Sequence, residues 1–284
     1  MATFYNKATL SYNDIITDSN IVTGELLEVL SASKTALSEN YDTDDTITYI
    51  ISIINAGSIP YTNLTVTDDL GSYTFNGLTL VPLTYLSNSL RYYYNGELQA
   101  TPVISATNPL TIEGVDVPAN GNVLLVYQAQ VNQYAPLGTD ASITNQAIIN
   151  GSSLTSPLTV TETITASGNL RLTISKSISP DTVVENGEIT YTFVIQNSGS
   201  TPAVATDNVV VTDTFNPILN PISVTYNSTP WSSPANYTYN TTTGLFQTVP
   251  GSITVPGATY TQNPLTGQWT IVPGVTVIKV TGTI

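Results

Sequence analysis

Apolar and polar residues alternate with a period of two along most of this chain. Thr46-Ile47-Thr48-Tyr49-Ile50-Ile51-Ser52-Ile53-Ile54 is the plainest run. Successive side chains of a strand point to opposite faces, so this run predicts a strand, ended by Asn55-Ala56-Gly57. Leu64-Thr65-Val66-Thr67-Asp68 predicts another. Arg91-Tyr92-Tyr93-Tyr94 predicts a strand that enters a tight hairpin at Asn95-Gly96, a dipeptide suited to the positive φ angles of such turns. Gly121 to Val131 predicts a long strand after the turn Pro118-Ala119-Asn120. No stretch carries the 3.6-residue period of an amphipathic helix, and Pro and Gly punctuate at short intervals, as in β-sandwiches.

The second half repeats the first. Ser33-Lys34 matches Ser175-Lys176 at an offset of 142 (176 − 34). Thr48-Tyr49 matches Thr190-Tyr191, and Asn55-x-Gly57 matches Asn197-x-Gly199, at the same offset. Val66-Thr67-Asp68 matches Val211-Thr212-Asp213 at 145 (213 − 68), which places a small loop insertion between them. Pro273-Gly274-Val275-Thr276-Val277-Ile278 parallels the strand after Pro118. A constant offset held over several strands marks a duplication.

The frame of that duplication is displaced. Ser142–Gly151 reads as the last strand of the first module, and Asn6–Asn13 is a relative of it at the start of the chain. Asn145 precedes Lys176 by 31 residues (176 − 145), and Asn6 precedes Lys34 by 28 (34 − 6). Between them, Ile21–Glu25 resembles Leu158–Glu162. No such strand follows the second module, which runs to Thr281-Gly282-Thr283-Ile284. The expected organisation is therefore an arm over 1–31 bearing a displaced strand, a first β-sandwich over 32–166, and a second over 167–284 that lacks its closing strand.

The lysine at the first strand, Ile189–Gly199, Val209–Phe215 and Ile143–Ala147 together resemble the repeat family called domain of unknown function eleven. The resemblance covers both modules from about Ala32 onward. It implies immunoglobulin-like β-sandwiches of the kind strung in tandem on bacterial and archaeal surfaces. The fold class expected is all-β: two tandem immunoglobulin-like β-sandwiches preceded by an extended N-terminal donor-strand arm.

Composition narrows the function classes. Hydrophobic residues make up 41% of the 284, enough for a packed core, while charged residues are only 9%, against roughly 25% in ordinary globular domains. The net charge is −14 with six Lys and Arg, so there is no basic stripe for nucleic acid or anionic lipid. With no Cys and no His, thiol nucleophiles, Cys/His zinc sites and Ser-His-Asp triads are excluded. No apolar run approaches the ~18 residues of a membrane span, and the start Met-Ala-Thr-Phe-Tyr-Asn-Lys lacks the layout of a secretory signal. No anchor tail is visible, so a location outside a cell implies an unusual route, such as release of spores by lysis of the mother cell. No cofactor is expected.

Two constellations carry chemistry. The first is Lys34, Asp68 and Asn145, with a twin in Lys176, Asp213 and Asn6, the last drawn from another molecule. First and last strands of such sandwiches are often neighbours, so a lysine on one can meet an asparagine on the other. Burial strips a lysine of its proton and makes it a nucleophile. An adjacent carboxyl with a raised pKa shares a proton with the asparagine amide, and contact supplies the proximity. The product is a Lys–Asn isopeptide bond, similar to those of pilin and adhesin sandwiches. The alternative is ordinary: a lysine snorkelling at a strand start and an aspartate serving a turn. The second constellation is the displaced strand itself, with Asn6, Ala8, Leu10 and Tyr12 along one face. An incomplete sandwich exposes a pairing edge, and an extended arm can fill it by strand addition.

Weaker candidates are a Ca²⁺ site at Asp42, Asp44 and Asp45, and sugar-stacking rings at Tyr92–Tyr94, Trp231 and Trp269. The expectation is a non-enzymatic structural subunit of an extracellular or spore-surface filament or layer. It would polymerise with itself, without nucleic acid or membrane insertion. The alternative is a monomeric adhesin or carbohydrate-binding module for host or matrix glycans.

Overall fold

The computed structural model describes residues 2–26 and 29–284. It is all-β; among the described residues the one helical segment is a single 3-10 turn at Ala205–Asp207.

The arm is a two-stranded ribbon. β1 (Ala2–Asn6) and β2 (Thr9–Tyr12) form the outgoing strand, and β3 (Ile15–Asp18) and β4 (Val22–Leu26) the returning one. Asn6 lies opposite Val22 and Thr9 opposite Asp18, so the returning strand carries one extra residue, a bulge. Asn13 and Asp14, at φ 43° and 60°, close the ribbon in the left-handed region that Asn and Asp tolerate best. The single displaced strand expected from the sequence is thus half of a hairpin.

The first sandwich opens with β5 (Leu30–Ala36), the short β6 (Asn40–Tyr41), β7 (Thr46–Asn55) and β8 (Tyr61–Asp68). β9 (Tyr73–Phe75) and β10 (Leu78–Leu80) form a side hairpin, and β11 (Leu83–Tyr85) returns to the main sheet. β12 (Arg91–Tyr94) and β13 (Glu97–Gln99) are joined by Asn95-Gly96, both at positive φ. Then come β14 (Val103–Thr107), β15 (Leu110–Val117), β16 (Gly121–Val131), β17 (Ser142–Asn150) and β18 (Leu158–Ala166). One sheet runs β13-β12-β16-β7-β5, and the facing sheet β14-β15-β8-β17-β18-β6. Alternation does what the sequence implies: Ile47, Tyr49, Ile51 and Ile53 of β7 are buried and the residues between them are not. The sandwich begins at Leu30, slightly before the expected boundary. Nor is Ser142–Gly151 its last strand, because β18 pairs along the whole of β17.

The second sandwich is built from β19 (Leu172–Ser179), β20 (Glu188–Asn197), β21 (Thr212–Thr214), β22 (Ile222–Tyr226) and β23 (Thr229–Trp231). β24 (Tyr237–Tyr239), β25 (Leu245–Thr248), β26 (Thr259–Gln262), β27 (Trp269–Val272) and β28 (Gly274–Thr283) follow. Its larger sheet, β19-β20-β28-β22-β23, repeats the order of the first. β20 even shows the burial alternation of β7, with Ile189, Tyr191, Phe193 and Ile195 inward. The repeated Asn-x-Gly is structural. Asn55 Nδ2 donates to the carbonyls of Ile59 and Pro118, and Asn197 Nδ2 to those of Thr201 and Pro256.

The smaller sheets differ. In the first sandwich β8 is flanked by β15 on one side and β17 on the other. In the second, β21 pairs with β25, which pairs with β24, and the sheet ends there. Among the described residues, no strand occupies the positions that β17 and β18 hold in the first sandwich. The module is short by a hairpin, not by one strand.

The two sandwiches are braced. β26 and β27 form a hairpin that leans on the first module: Gln262 Nε2 donates to the Tyr73 hydroxyl (3.0 Å), and the Trp269 amide to the Gln133 carbonyl (3.0 Å). Asn76 Nδ2 donates to the Pro264 carbonyl (3.2 Å).

Candidate functional site

Lys34 sits on β5 of one sheet, while Asp68 on β8 and Asn145 on β17 belong to the other. Alternation turns all three inward. Asp68 lies opposite Ala147, two residues from Asn145 along β17, so both side chains share the core face. Lys34 Nζ donates to Asp68 Oδ2 at 2.6 Å across the sandwich, and both side chains are 0% exposed. Tyr127 on β16 donates its hydroxyl to the same Oδ2 at 2.5 Å, and Asn145 Nδ2 donates to the Tyr127 oxygen at 3.2 Å. Asp68 Oδ1 accepts the Leu70 amide. Asn145 Oδ1 is buried and, among the described residues, has no hydrogen-bond partner.

The electrostatics follow from that burial. Loss of water pushes the Lys34 pKa below its ordinary value, outweighing the pull of Asp68 in the other direction. Burial drives the phenols of Tyr127 and Tyr49 upward, so both stay neutral. A lysine of lowered basicity, a carboxylate that can take its proton and a carboxamide with an unsatisfied oxygen therefore occupy one dry pocket. These are the components of amide transfer from asparagine to lysine. The tyrosines were not singled out from the sequence. A signal existed: Tyr49 and Tyr127 are cross-strand partners and belong to the same alternating face as the core isoleucines.

Lys176 on β19 and Asp213 on β21 stand at the repeat-equivalent positions and also form an ion pair. Here the lysine side chain is 39% exposed and the aspartate 19%. The ammonium lies over the rings of Tyr191 (4.3 Å), Phe215 (5.5 Å) and Phe193 (5.6 Å). Val280 lies opposite Tyr191 where Tyr127 lies opposite Tyr49, so no phenol reaches the carboxylate from β28. Asp213 Oδ2 meets the ammonium without hydrogen-bond alignment, and no other donor among the described residues reaches it. Flanking the lysine on the same face, Ile174 is 56% exposed and Ile178 42%.

Asn6, Ala8, Leu10 and Tyr12 lie on the arm, and every side chain described there is exposed. Thr3 to Ser11 match Ser142 to Asn150 position by position, which sets Asn6 at the place of Asn145 and Ala8 at that of Ala147. The faces match too. Phe4, Ala8, Leu10 and Tyr12 alternate with Tyr5, Lys7, Thr9 and Ser11, and Lys7 and Thr9 bind Asp18 on the polar side. Phe4 packs over Gly24, where a Cβ would lie 2.3 Å from the ring. Ile143 meets Ile164 at the equivalent position, so one large side chain there does the work of two. The register corrects one alignment. Asn6 faces Val22 and Asn145 faces Glu162, so Val22, not Glu25, corresponds to Glu162.

No group of three or more His, Cys, Asp or Glu side chains placed to hold a metal ion, Asp42, Asp44 and Asp45 included, occurs among the described residues. Asp45 Oδ2 instead accepts the Asp42 amide and closes the turn, while Asp42 faces Arg171 at 3.7 Å. Of the sugar-stacking rings, Tyr92 is buried and Trp231 is stacked on Tyr226 with centroids 4.7 Å apart. No helix among the described residues is long and apolar enough to cross a membrane.

No family model and no curated protein matches the chain. Among solved structures it is similar to BcpA, the major pilin subunit of Bacillus cereus, at 12% identity and a TM-score of 0.34, over 95% of this chain and 73% of that one. It is similar to the pilus backbone RrgB of Streptococcus pneumoniae at 10% identity and a TM-score of 0.35, over 86% and 55%. The collagen adhesin of S. aureus gives 13% and 0.30, over 52% and 55%.

Proposed function

We propose that this protein is a structural subunit of a filament or layer on the outside of a cell or spore. Each copy donates its N-terminal hairpin, residues 2–26, to the open second sandwich of the next. One observation carries this reading: the second sandwich is short of the β17–β18 hairpin, and a hairpin of matching sequence and facing is worn, unburied, at the other end of the chain. A lone two-stranded hairpin is marginal in water. Phe4, Leu10, Tyr12, Ile15, Ile21 and Val22 are all exposed on it, and an apolar surface of that kind calls for a partner. No hydrogen bond joins the described arm residues to either sandwich of their own chain. Donation from one end to the other is heterologous and does not close on itself, so it generates linear polymers.

Within the first sandwich, Lys34 and Asn145 condense to an amide with Asp68 as the proton-sharing group. That tie would span both sheets as a disulfide does, in a chain with no Cys, and would be indifferent to redox conditions.

Electron microscopy of the purified chain tests the assembly. Fibres or sheets are expected from the full chain and separate particles from a chain lacking residues 1–26. Separate particles from the full chain at every concentration would refute donation. Intact mass lower by one ammonia is expected in the arm-deleted chain. An unchanged mass would remove the internal amide.

A further inference from the structure

We propose that each joint of the polymer is sealed covalently, by an amide between Lys176 of one copy and Asn6 of the arm it receives. This rests on the donation reading and adds a modification site to it.

The first sandwich shows what the second becomes when filled. There, β17 brings Asn145 to a lysine and an aspartate already paired across the core. In the second, the repeat-equivalent lysine and aspartate also form an ion pair, and both side chains are partly exposed. Asn6 is the residue the arm would carry to that pair, because Ala8 takes the place of Ala147 opposite the aspartate. No side-chain hydrogen bond holds Asn6 within its own arm among the described residues. The aromatic floor of Tyr191, Phe193 and Phe215 keeps the Lys176 ammonium over the cleft. Ile174 and Ile178, exposed on either side of it, offer apolar contacts to Phe4 and Leu10. Seating the hairpin would expel water from the pair and recreate the dry surroundings of Lys34.

The step balances without any outside reagent. Desolvation moves a proton from the Lys176 ammonium to the Asp213 carboxylate. The neutral Nζ attacks Cγ of Asn6, and the Asp213 carboxyl protonates the developing oxyanion. The Cγ–Nδ2 bond breaks, ammonia leaves with the protons shed by Nζ and Asp213, and the carboxylate is restored. One ammonium and one carboxamide become one secondary amide and one ammonium ion. Reaction waits for a second molecule, so the unassembled subunit keeps both partners intact.

Full-length chain is assembled, imaged, and then boiled in sodium dodecyl sulfate. Wild-type polymers are expected to persist as a ladder, with a proteolytic peptide joining Lys176 to Asn6 and one ammonia missing per joint. Asn6→Ala and Lys176→Met chains are each expected to form the same filaments, which boil down entirely to monomers. Asn6 is exposed and outside both sandwiches, so its replacement leaves the fold untouched. Wild-type filaments that dissolve to monomers would overturn the covalent joint and leave donation standing. Ladders that survive in either variant would also overturn it. Absence of wild-type filaments would overturn donation and the joint together.

Discussion

The same lysine–aspartate pair occurs twice in this molecule in two different solvents. In the first sandwich Lys34 and Asp68 have no access to water, and Tyr127 and the Leu70 amide complete the hydrogen bonding of the carboxylate. In the second, Lys176 and Asp213 are partly exposed to water and have no tyrosine to help. The residues have hardly changed between the copies; the cover has. A charge pair costs little while wet and becomes reactive when dried. Under the proposed reading, keeping one copy covered and the other open would separate a bond made on folding from one made on assembly.

The largest test of that contrast removes one carboxylate at a time from an arm-deleted Asn145→Ala chain, in which Lys34 keeps its amine. Asp68→Ala leaves a lysine buried without a partner and should cost about 3–5 kcal/mol in urea unfolding. Asp213→Ala should cost at most about 1 kcal/mol, because Lys176 can turn to water. Equal losses would erase the distinction. Next in size is filling the cleft. A synthetic peptide of residues 2–26, added at 100 times its dissociation constant, should stabilise the second sandwich by about 2.7 kcal/mol. It should slow amide exchange along β19 and leave β5 unchanged; protection of β5 instead would place the peptide in the wrong module.

Tyr127→Phe should cost about 1–2 kcal/mol by stripping a donor from Asp68 and an acceptor from Asn145. Val280→Tyr, which sets a phenol at the matching position of the second module, should not reproduce that contribution in reverse unless the arm is bound. Thermal melts of both variants check this. The smallest effect is on pH, read in an Asn145→Ala chain where Lys34 keeps its amine. Burial lowers the Lys34 pKa in the fold, while the unfolded chain holds that proton up to about 10.4. Between the two values the unfolded state binds more protons, so stability rises with pH. Tyr49 and Tyr127 act oppositely. Their folded pKa values are raised, the unfolded phenols ionise near about 10, and stability falls beyond that. Urea midpoints should peak near that pH, and Lys34→Met should flatten the rising limb. A midpoint independent of pH would contradict the burial of the amine.

Much of this was legible before any coordinates. Period-two alternation located β7, β8, β12 and β16, and the 142-residue offset located β19 and β20, with β21 following at 145. Residue scarcity pointed to Lys34 and Lys176, two of four lysines in a chain where charge is rare. What alternation cannot encode is who pairs with whom. β17 and β18 are joined by a loop of Gly151–Pro157 with no two-residue turn signature, so their pairing was invisible and the missing element read as one strand. In the arm the signature was present, since Asn13-Asp14 supports the positive φ angles of a tight turn, but the bulge blurs the strand that follows. Solvent exposure lay further still from the sequence. Lys34 and Lys176 each follow a serine at the same place in the repeat, and it is the hairpin packed above the first, together with Tyr127 where the second has Val280, that sets them apart.

The brace between the sandwiches bears on mechanics. Gln262, Trp269 and Asn76 clip the β26–β27 hairpin to the first module at three points spread over both partners. In the proposed polymer, a pull along the chain of subunits would therefore meet stiff double-length blocks, each with its hinge suppressed. Compliance would then be left to the segments where one block hands its ribbon to the next, and the spacing of the proposed fibre's soft points would be set by the length of one polypeptide.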